Sequence, residues 1–290
     1  MRPLVNCETG LNSQEVGMSK YDQFNQYPSR GLIAAESVLL SVWPTLTRHQ
    51  DDIVLVGGLA VHYLTRGQSK GWPGAVTMDV DLGLSLAVDD DRYGSIMDDM
   101  RGLGFSPDSE IKNRLVREVD GLKMYLDFMT DSGDKPTGTA RVSDVITSAV
   151  PGLNRALEVR RHVEVEGLDI YGVRLSAEIP VCEIGPLLVL KLNAFGGPTG
   201  RRHPKDAYDV LLCVTGYIDG ATKAIEAFRD ERKVSNPAYP FASHALERDF
   251  SRPDADGPMR AASFLQADAK LSERLREELV TAARFMLVEG

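Results

Sequence analysis

The chain has 290 residues, 43% hydrophobic and 26% charged, with 33 Lys and Arg against 42 Asp and Glu for a net charge of −9. That length holds one large domain or two modest ones of ordinary soluble composition, and the acidic balance argues against a broad, sequence-independent nucleic-acid binder. With no apolar run near the roughly 20 residues of a membrane span, no signal-peptide core, and three scattered cysteines (Cys7, Cys182, Cys213) that form no disulfide or zinc pattern, a cytoplasmic protein is predicted.

Residues 1–30 are polar and weakly periodic, and predict a loose arm with at most a short helix. Residues 31–48 place apolar side chains at three- and four-residue steps, a helical pattern. Ile53-Val54-Leu55-Val56 is a short β-branched run ended by Gly57-Gly58, and 59–64 restart as a helix. A Gly-rich loop over 66–76 contains Trp72, which packs against the fold or, if exposed, offers a platform for a base. A strand over 78–86 carries Asp79 and Asp81. Period-two alternation puts Val80, Leu82 and Leu84 on one face and the two carboxylates side by side on the other. Asp89-Asp90-Asp91 then opens a helix to about Leu103, its acids suited to a first turn.

Strands over 115–119 and 122–129 flank Asp120-Gly121, a two-residue hairpin signal. In the second, Lys123, Tyr125 and Asp127 share one face. Residues 131–140 read as a loop, and short strands are predicted at 162–166, 169–174 and 180–184. From Gly185 the pattern is helical: 187–195 with Lys191, 204–214 with Lys205, Asp206 and Asp209, then helices over 218–232, 240–249, 257–267 and 270–288. The predicted class is α/β (α+β): a polar arm (1–30), a mixed sheet flanked by helices (31–184) and a mostly helical region (185–290).

Two carboxylates held as close as Asp79 and Asp81 raise each other's pKa, and Mg²⁺ or Mn²⁺ between them removes that penalty. The plain alternative is a solvated strand end. Glycines at a strand-to-helix turn let backbone N–H groups approach a phosphate, so Gly57 and Gly58 are phosphate-binding candidates. Asp127 supplies a third carboxylate, and three can hold two divalent metals. Two basic clusters, 201–205 and Arg155, Arg160, Arg161 with His162, are solvated faces or a local basic groove.

This order of parts resembles the nucleotidyltransferase superfamily related in fold to DNA polymerase β. Within it the chain is most similar to the AbiEii/AbiGii-type toxin nucleotidyltransferases, which add a helical lysine, here Lys191, and a Lys-Asp-x-x-Asp-like segment, here Lys205-Asp206-Ala207-Tyr208-Asp209. The likeness covers roughly residues 50–215. It implies transfer of an NMP from an NTP to an acceptor hydroxyl, with Asp79, Asp81 and Asp127 holding the metals and Asp127 also acting as base. Gly57, Gly58, Thr77, Lys191, Lys205 and Asp206 would bind the nucleotide. It further implies a toxin of a toxin–antitoxin or phage-defence system, a tRNA 3′ end or a protein as acceptor, and a possible cognate antitoxin. A small-molecule acceptor and a non-catalytic nucleotide binder are the alternatives. One departure stands out: many relatives carry Arg two residues before the Thr, where this chain has Ala75, so either a basic contact to a phosphate is missing or Arg66, Lys70 or Arg114 replaces it. Purely structural roles are open for Lys191 (paired with Glu183), for Asp206 and Asp209 (helix support), for His62 (packed) and for His203 (surface).

Overall fold

A computed structural model describes residues 20–66, 71–85, 96–133, 137–142 and 144–288. Cys7, Lys70 and the Asp89-Asp90-Asp91 helix start lie outside the described residues. In chain order the elements are α1 (Gly31–Leu46), β1 (Ile53–Val56), α2 (Gly57–Thr65), β2 (Asp79–Leu84), α3 (Ile96–Gly102), β3 (Ser106–Pro107), β4 (Arg114–Val119), β5 (Leu122–Asp131), β6 (Gly138–Val142) and β7 (Val145–Val150). They continue with α4 (Leu153–Glu158), β8 (Arg160–Leu168), β9 (Arg174–Cys182), α5 (Ile184–Gly196), α6 (Pro204–Thr215), α7 (Ala221–Lys233), α8 (Tyr239–Phe250), α9 (Asp256–Phe264) and α10 (Ala269–Leu287).

The strands form one mixed sheet in the order β3-β4-β5-β2-β1-β9-β8, with β7 pairing on β5 and β6 on β7. β1 and β2 are antiparallel, whereas β2 and β5 run parallel. β1 is buried throughout, as its β-branched sequence requires of a central strand. The β4–β5 hairpin turns on Asp120 and Gly121, both at positive φ (51° and 77°), the geometry of a type I′ turn. Helix α1 packs on β2, β5, β8 and β9, and α4 packs on β1, β2 and β5. The C-terminal helices join the sheet through α5 and α6, which contact α2, while α7, α8 and α9 pack behind them. Tyr208, Phe195, Phe228, Phe250 and Phe264 fill that helical layer with fully buried rings. Side chains of this size contribute roughly 1.5–3 kcal/mol each by leaving water.

Three segments differ from the sequence expectation. Part of the 131–140 loop is strand β6, which pairs with β7. Most of β6 is exposed, so its sequence carries no apolar alternation to reveal it. The strands expected at 162–166, 169–174 and 180–184 are one hairpin of two nine-residue strands, in register from Arg160↔Cys182 to Leu168↔Arg174. Its turn covers 169–173, where the Asp169 carboxylate accepts from the Tyr171 and Val173 N–H groups at 2.9 and 2.8 Å. Much of this hairpin is solvated on both faces, so Gly167 and Asp169 read as breaks. Finally, the described end of the N-terminal arm is docked rather than loose. A 3₁₀ turn at Phe24–Gln26 precedes a buried Tyr27, and Phe24 and Tyr27 both lie edge-on to Phe264 at 6.0 Å between centroids.

Candidate functional site

The sheet brings Asp79, Asp81 and Asp127 together. Asp81 lies directly opposite Asp127 in the parallel β2–β5 register, and Asp79 is two residues back on the same face. Asp79 and Asp127 are buried, at 5% and 6% exposure. Burial first, then Asp81 and Asp127, push the Asp79 carboxyl up to about 7. Among the described residues its Oδ1 has no hydrogen-bond partner. An orphaned, buried acceptor beside a second carboxylate is a donor set suited to a hard divalent cation.

Asp127 stands differently. Arg114, its cross-strand neighbour on β4, donates to both of its oxygens, Nε to Oδ1 at 2.9 Å and Nη2 to Oδ2. The guanidinium also lies 4.7 Å over the Tyr125 ring. This fork satisfies Asp127 as an ion pair. Among the described residues no group of three or more His, Cys, Asp or Glu side chains is arranged to hold a metal ion. The fit to a cation is therefore that of the Asp79–Asp81 pair. Arg114 keeps Nη1 unpartnered among the described residues.

The glycine turn sits against these acids. Gly57 has φ +70°, and a Cβ there would fall 1.8 Å from Asp81 Oδ2. Only glycine permits both the backbone and the approach. A Cβ on Gly58 would fall 2.7 Å from the Thr77 hydroxyl and 3.4 Å from Lys205 Nζ. Thr77 is itself buried, and its Oγ1 accepts from the Asp79 N–H at 3.2 Å. Thr77 thus fixes the start of β2 from beneath the turn. The N-cap of α2 is Val56, whose side chain makes no capping hydrogen bond. Leading N–H groups at a helix N-terminus are donors of the kind that suits an anion.

Helices α5 and α6 supply the opposite wall. Lys191 and Lys205 donate to the same oxygen of Asp209, Oδ2, at 2.6 and 2.8 Å. Burial works to raise Asp209, but the two ammonium groups outweigh it and hold the carboxyl below its ordinary range. Lys191 therefore pairs with Asp209 rather than Glu183. Glu183 instead caps α5 through the Ile184 N–H and binds Arg161 at 2.7 Å. Asp206 accepts from Lys20 at 2.6 Å and from Arg201 at 3.2 Å. Its carboxyl is also held low, against burial, by Lys20 and Arg201. Four cations thus share two carboxylates on this wall.

Other candidates fall away from the turn. Trp72 is buried, its indole N–H donates to Glu278 at 2.8 Å, and Arg274 covers its ring. Arg66 follows α2 at the end opposite Gly57 and acts electrostatically on Glu36 and His62. His62 is packed edge-on to Tyr63, and burial lowers its pKa to about 4. His203 is no plain surface residue: it caps α6, its Nδ1 accepting the Lys205 N–H at 3.2 Å. Both basic clusters are engaged within the fold. Arg155 binds Glu231 and Glu158, Arg160 binds the Asp51 carbonyl, Arg161 binds Glu183 and Asp219, and Arg202 binds Asp249 and Asp256. Lys20 and the Arg114–Asp127 pairing were not foreseen. The register of two predicted strands could have suggested the second, but nothing in the polar arm singles out Lys20.

Fold and site together define an α+β protein in which sheet-borne acids and helix-borne lysines meet at one diglycine turn. Residues 47–285 match the family model described as "Nucleotidyl transferase AbiEii toxin, Type IV TA system". The chain belongs to that family, and so to a group of nucleotidyltransferase toxins. No curated protein matches it. No helix among the described residues is long and apolar enough to cross a membrane.

Proposed function

We propose that this chain transfers an NMP from an NTP to an acceptor hydroxyl, as a toxin restrained by a cognate antitoxin. In that reaction the acceptor oxygen bonds to the α-phosphorus, the bond to the bridging oxygen breaks, and pyrophosphate leaves with its electron pair. The observation that carries the reading is the diglycine turn itself. Gly57 lies against Asp81 and Gly58 against Lys205, so one bound polyphosphate would touch both walls. The α2 N-terminus, Gly57 and Gly58 would receive phosphate oxygens, and Lys191 and Lys205 would steady them through charge-assisted contacts. Thr77 would act indirectly, by holding the Asp79 backbone. Asp206 would act in the same indirect way, by holding cations beside Lys205.

Asp79 and Asp81 would hold Mg²⁺ or Mn²⁺, which when bound supplies charge neutralisation for the triphosphate and a lowered pKa for a hydroxyl. Asp127 is the proposed base, and Arg114 orients its carboxylate and moderates its basicity. Arg114, with one donor open, also takes the place of the basic contact that Ala75 lacks. The test is incubation of wild type and Asp81→Asn with Mg²⁺ and each labelled NTP in cell extract. Label carried into RNA or protein by wild type alone is the expected result. Equal labelling by both proteins, or none by either, overturns the reading.

A tRNA 3′ end or a protein is the proposed acceptor. One observation favours a second reading, a small-molecule acceptor: the arginines of both basic clusters are engaged in internal ion pairs or a backbone hydrogen bond, and His203 caps a helix. Salt dependence of tRNA binding separates the two, since a basic groove gives a steep negative slope and its absence gives no binding.

A further inference from the structure

Lys20 reaches the lysine wall from 186 residues away in sequence. The segment that carries it is fixed mainly by contacts that do not depend on charge, Asp22 at 3.5 Å from His203 Nε2 being the exception. Tyr21 and Tyr27 stack edge to face at 5.1 Å, and the Tyr21 N–H donates to the Tyr27 hydroxyl at 3.2 Å. Phe24 and Tyr27 lie against Phe264 of α9, which in turn packs on Tyr208 of α6 at 5.3 Å. Asn25 donates to Gln266 at 2.7 Å. Residues 20–30 are thus strapped across α6 and α9, and the strap ends at Asp206, next in sequence to Lys205. Lys20 also lies outside the span that matches the family model.

The arrangement is richer in cations than a structural ion pair needs. Asp206 is already bound by Arg201, so Lys20 is a second cation on one carboxylate. The neighbouring pair, Lys191 and Lys205, repeats the pattern on Asp209. An ammonium group has three donors, and among the described residues Lys20 forms one hydrogen bond, to Asp206. Its side chain is 17% exposed, against 7% for Lys191 and 3% for Lys205, so it is the most open of the three. The charge of Lys20 also acts on Asp79 and Asp127.

We infer that Lys20 is a third phosphate-binding lysine of the site, delivered by the N-terminal strap to the solvent-side end of a bound polyphosphate. This rests on the nucleotide reading above and adds a binding residue to it. The strap is therefore part of the nucleotide site, and Asp206 parks the Lys20 ammonium beside the phosphate path.

The experiment is titration calorimetry with inorganic tripolyphosphate and Mg²⁺, using wild type, Lys20→Met, Lys20→Arg, Asp206→Asn and the Lys20→Met/Asp206→Asn double variant. Melting temperatures check that each is folded. Lys20→Met is expected to bind about tenfold more weakly and Lys20→Arg within about threefold of wild type. The double variant separates binding from structural neutralisation. It is expected to bind about tenfold more weakly than Asp206→Asn alone, because Lys20 acts on phosphate even without its acid. Equal affinities for the double variant and Asp206→Asn, or for Lys20→Met and wild type, overturn the inference while leaving the nucleotide reading intact. If wild type binds no tripolyphosphate, the nucleotide reading falls first.

Discussion

The two walls of the site solve opposite electrostatic problems. On β2 and β5, three carboxylates face one guanidinium, and Asp79 is driven up to about 7. On α5, α6 and the strap, four cations face two carboxylates, and both acids are driven below their usual range. One wall lacks a cation and the other lacks an anion. A metal-bound polyphosphate is complementary to both at once, and the diglycine turn is where they touch. Aspartate chemistry is the same on both sides; the partners that the fold delivers decide whether a carboxylate is strained or relaxed.

The contrast predicts that acids on the two walls fail differently. Asp81→Asn should lower transfer on the order of 10³-fold while leaving the fold intact, measured as label incorporation beside a thermal melt. Activity within tenfold of wild type would mean that the sheet wall is not the reacting one. Asp209→Asn should instead unfold more easily, by about 3–5 kcal/mol in denaturant titration, because Lys191 and Lys205 would be left buried without their shared acid. A loss under about 1 kcal/mol would show that the lysine wall is better solvated than its burial implies.

The walls were also unequally legible. The sheet wall follows from local rules: period-two alternation places Asp79 beside Asp81, and the Asp120-Gly121 turn sets the strand that carries Asp127. The C-terminal helices were legible too, since apolar spacing and the Gly and Pro stops mark their ends to within a few residues. What the sequence hid were partners fixed by tertiary packing. Lys191 joins Lys205 on Asp209 only because α5 packs on α6, and Lys20 arrives by an aromatic strap, whereas Lys205–Asp209 is a local one-turn pair on α6 and Arg114–Asp127 follows from hairpin register. Exposed strands such as β6 escaped because a solvated edge carries no hydrophobic period.

The joint between the walls can be broken without touching any charge. Gly57→Ala places a methyl group in a left-handed backbone position and into Asp81 Oδ2. Strain at such a site costs about 1–3 kcal/mol, and relief requires Asp81 to move. Nucleotide binding should fall more than tenfold while the melt shifts by a few degrees. A variant that binds normally would show that Asp81 can yield without consequence.

The last effect is the most specific to the acid wall. Without metal, Asp79 carries a folded pKa of about 7 against roughly 3.9 in the unfolded chain. Between those values the folded state holds a proton that the unfolded state has released. Stability therefore falls as pH rises from about 4 to about 7, and the full cost is present above 7. In chelator at pH 8, Asp79→Asn should be more stable than wild type, by at most the roughly 4 kcal/mol that a three-unit shift is worth, and its stability should change less across that window. Adding Mg²⁺ should raise the wild-type melt and leave the variant's nearly unmoved. If both proteins show the same pH slope, like-charge crowding is relieved within the fold, and the two walls differ less than their partners suggest.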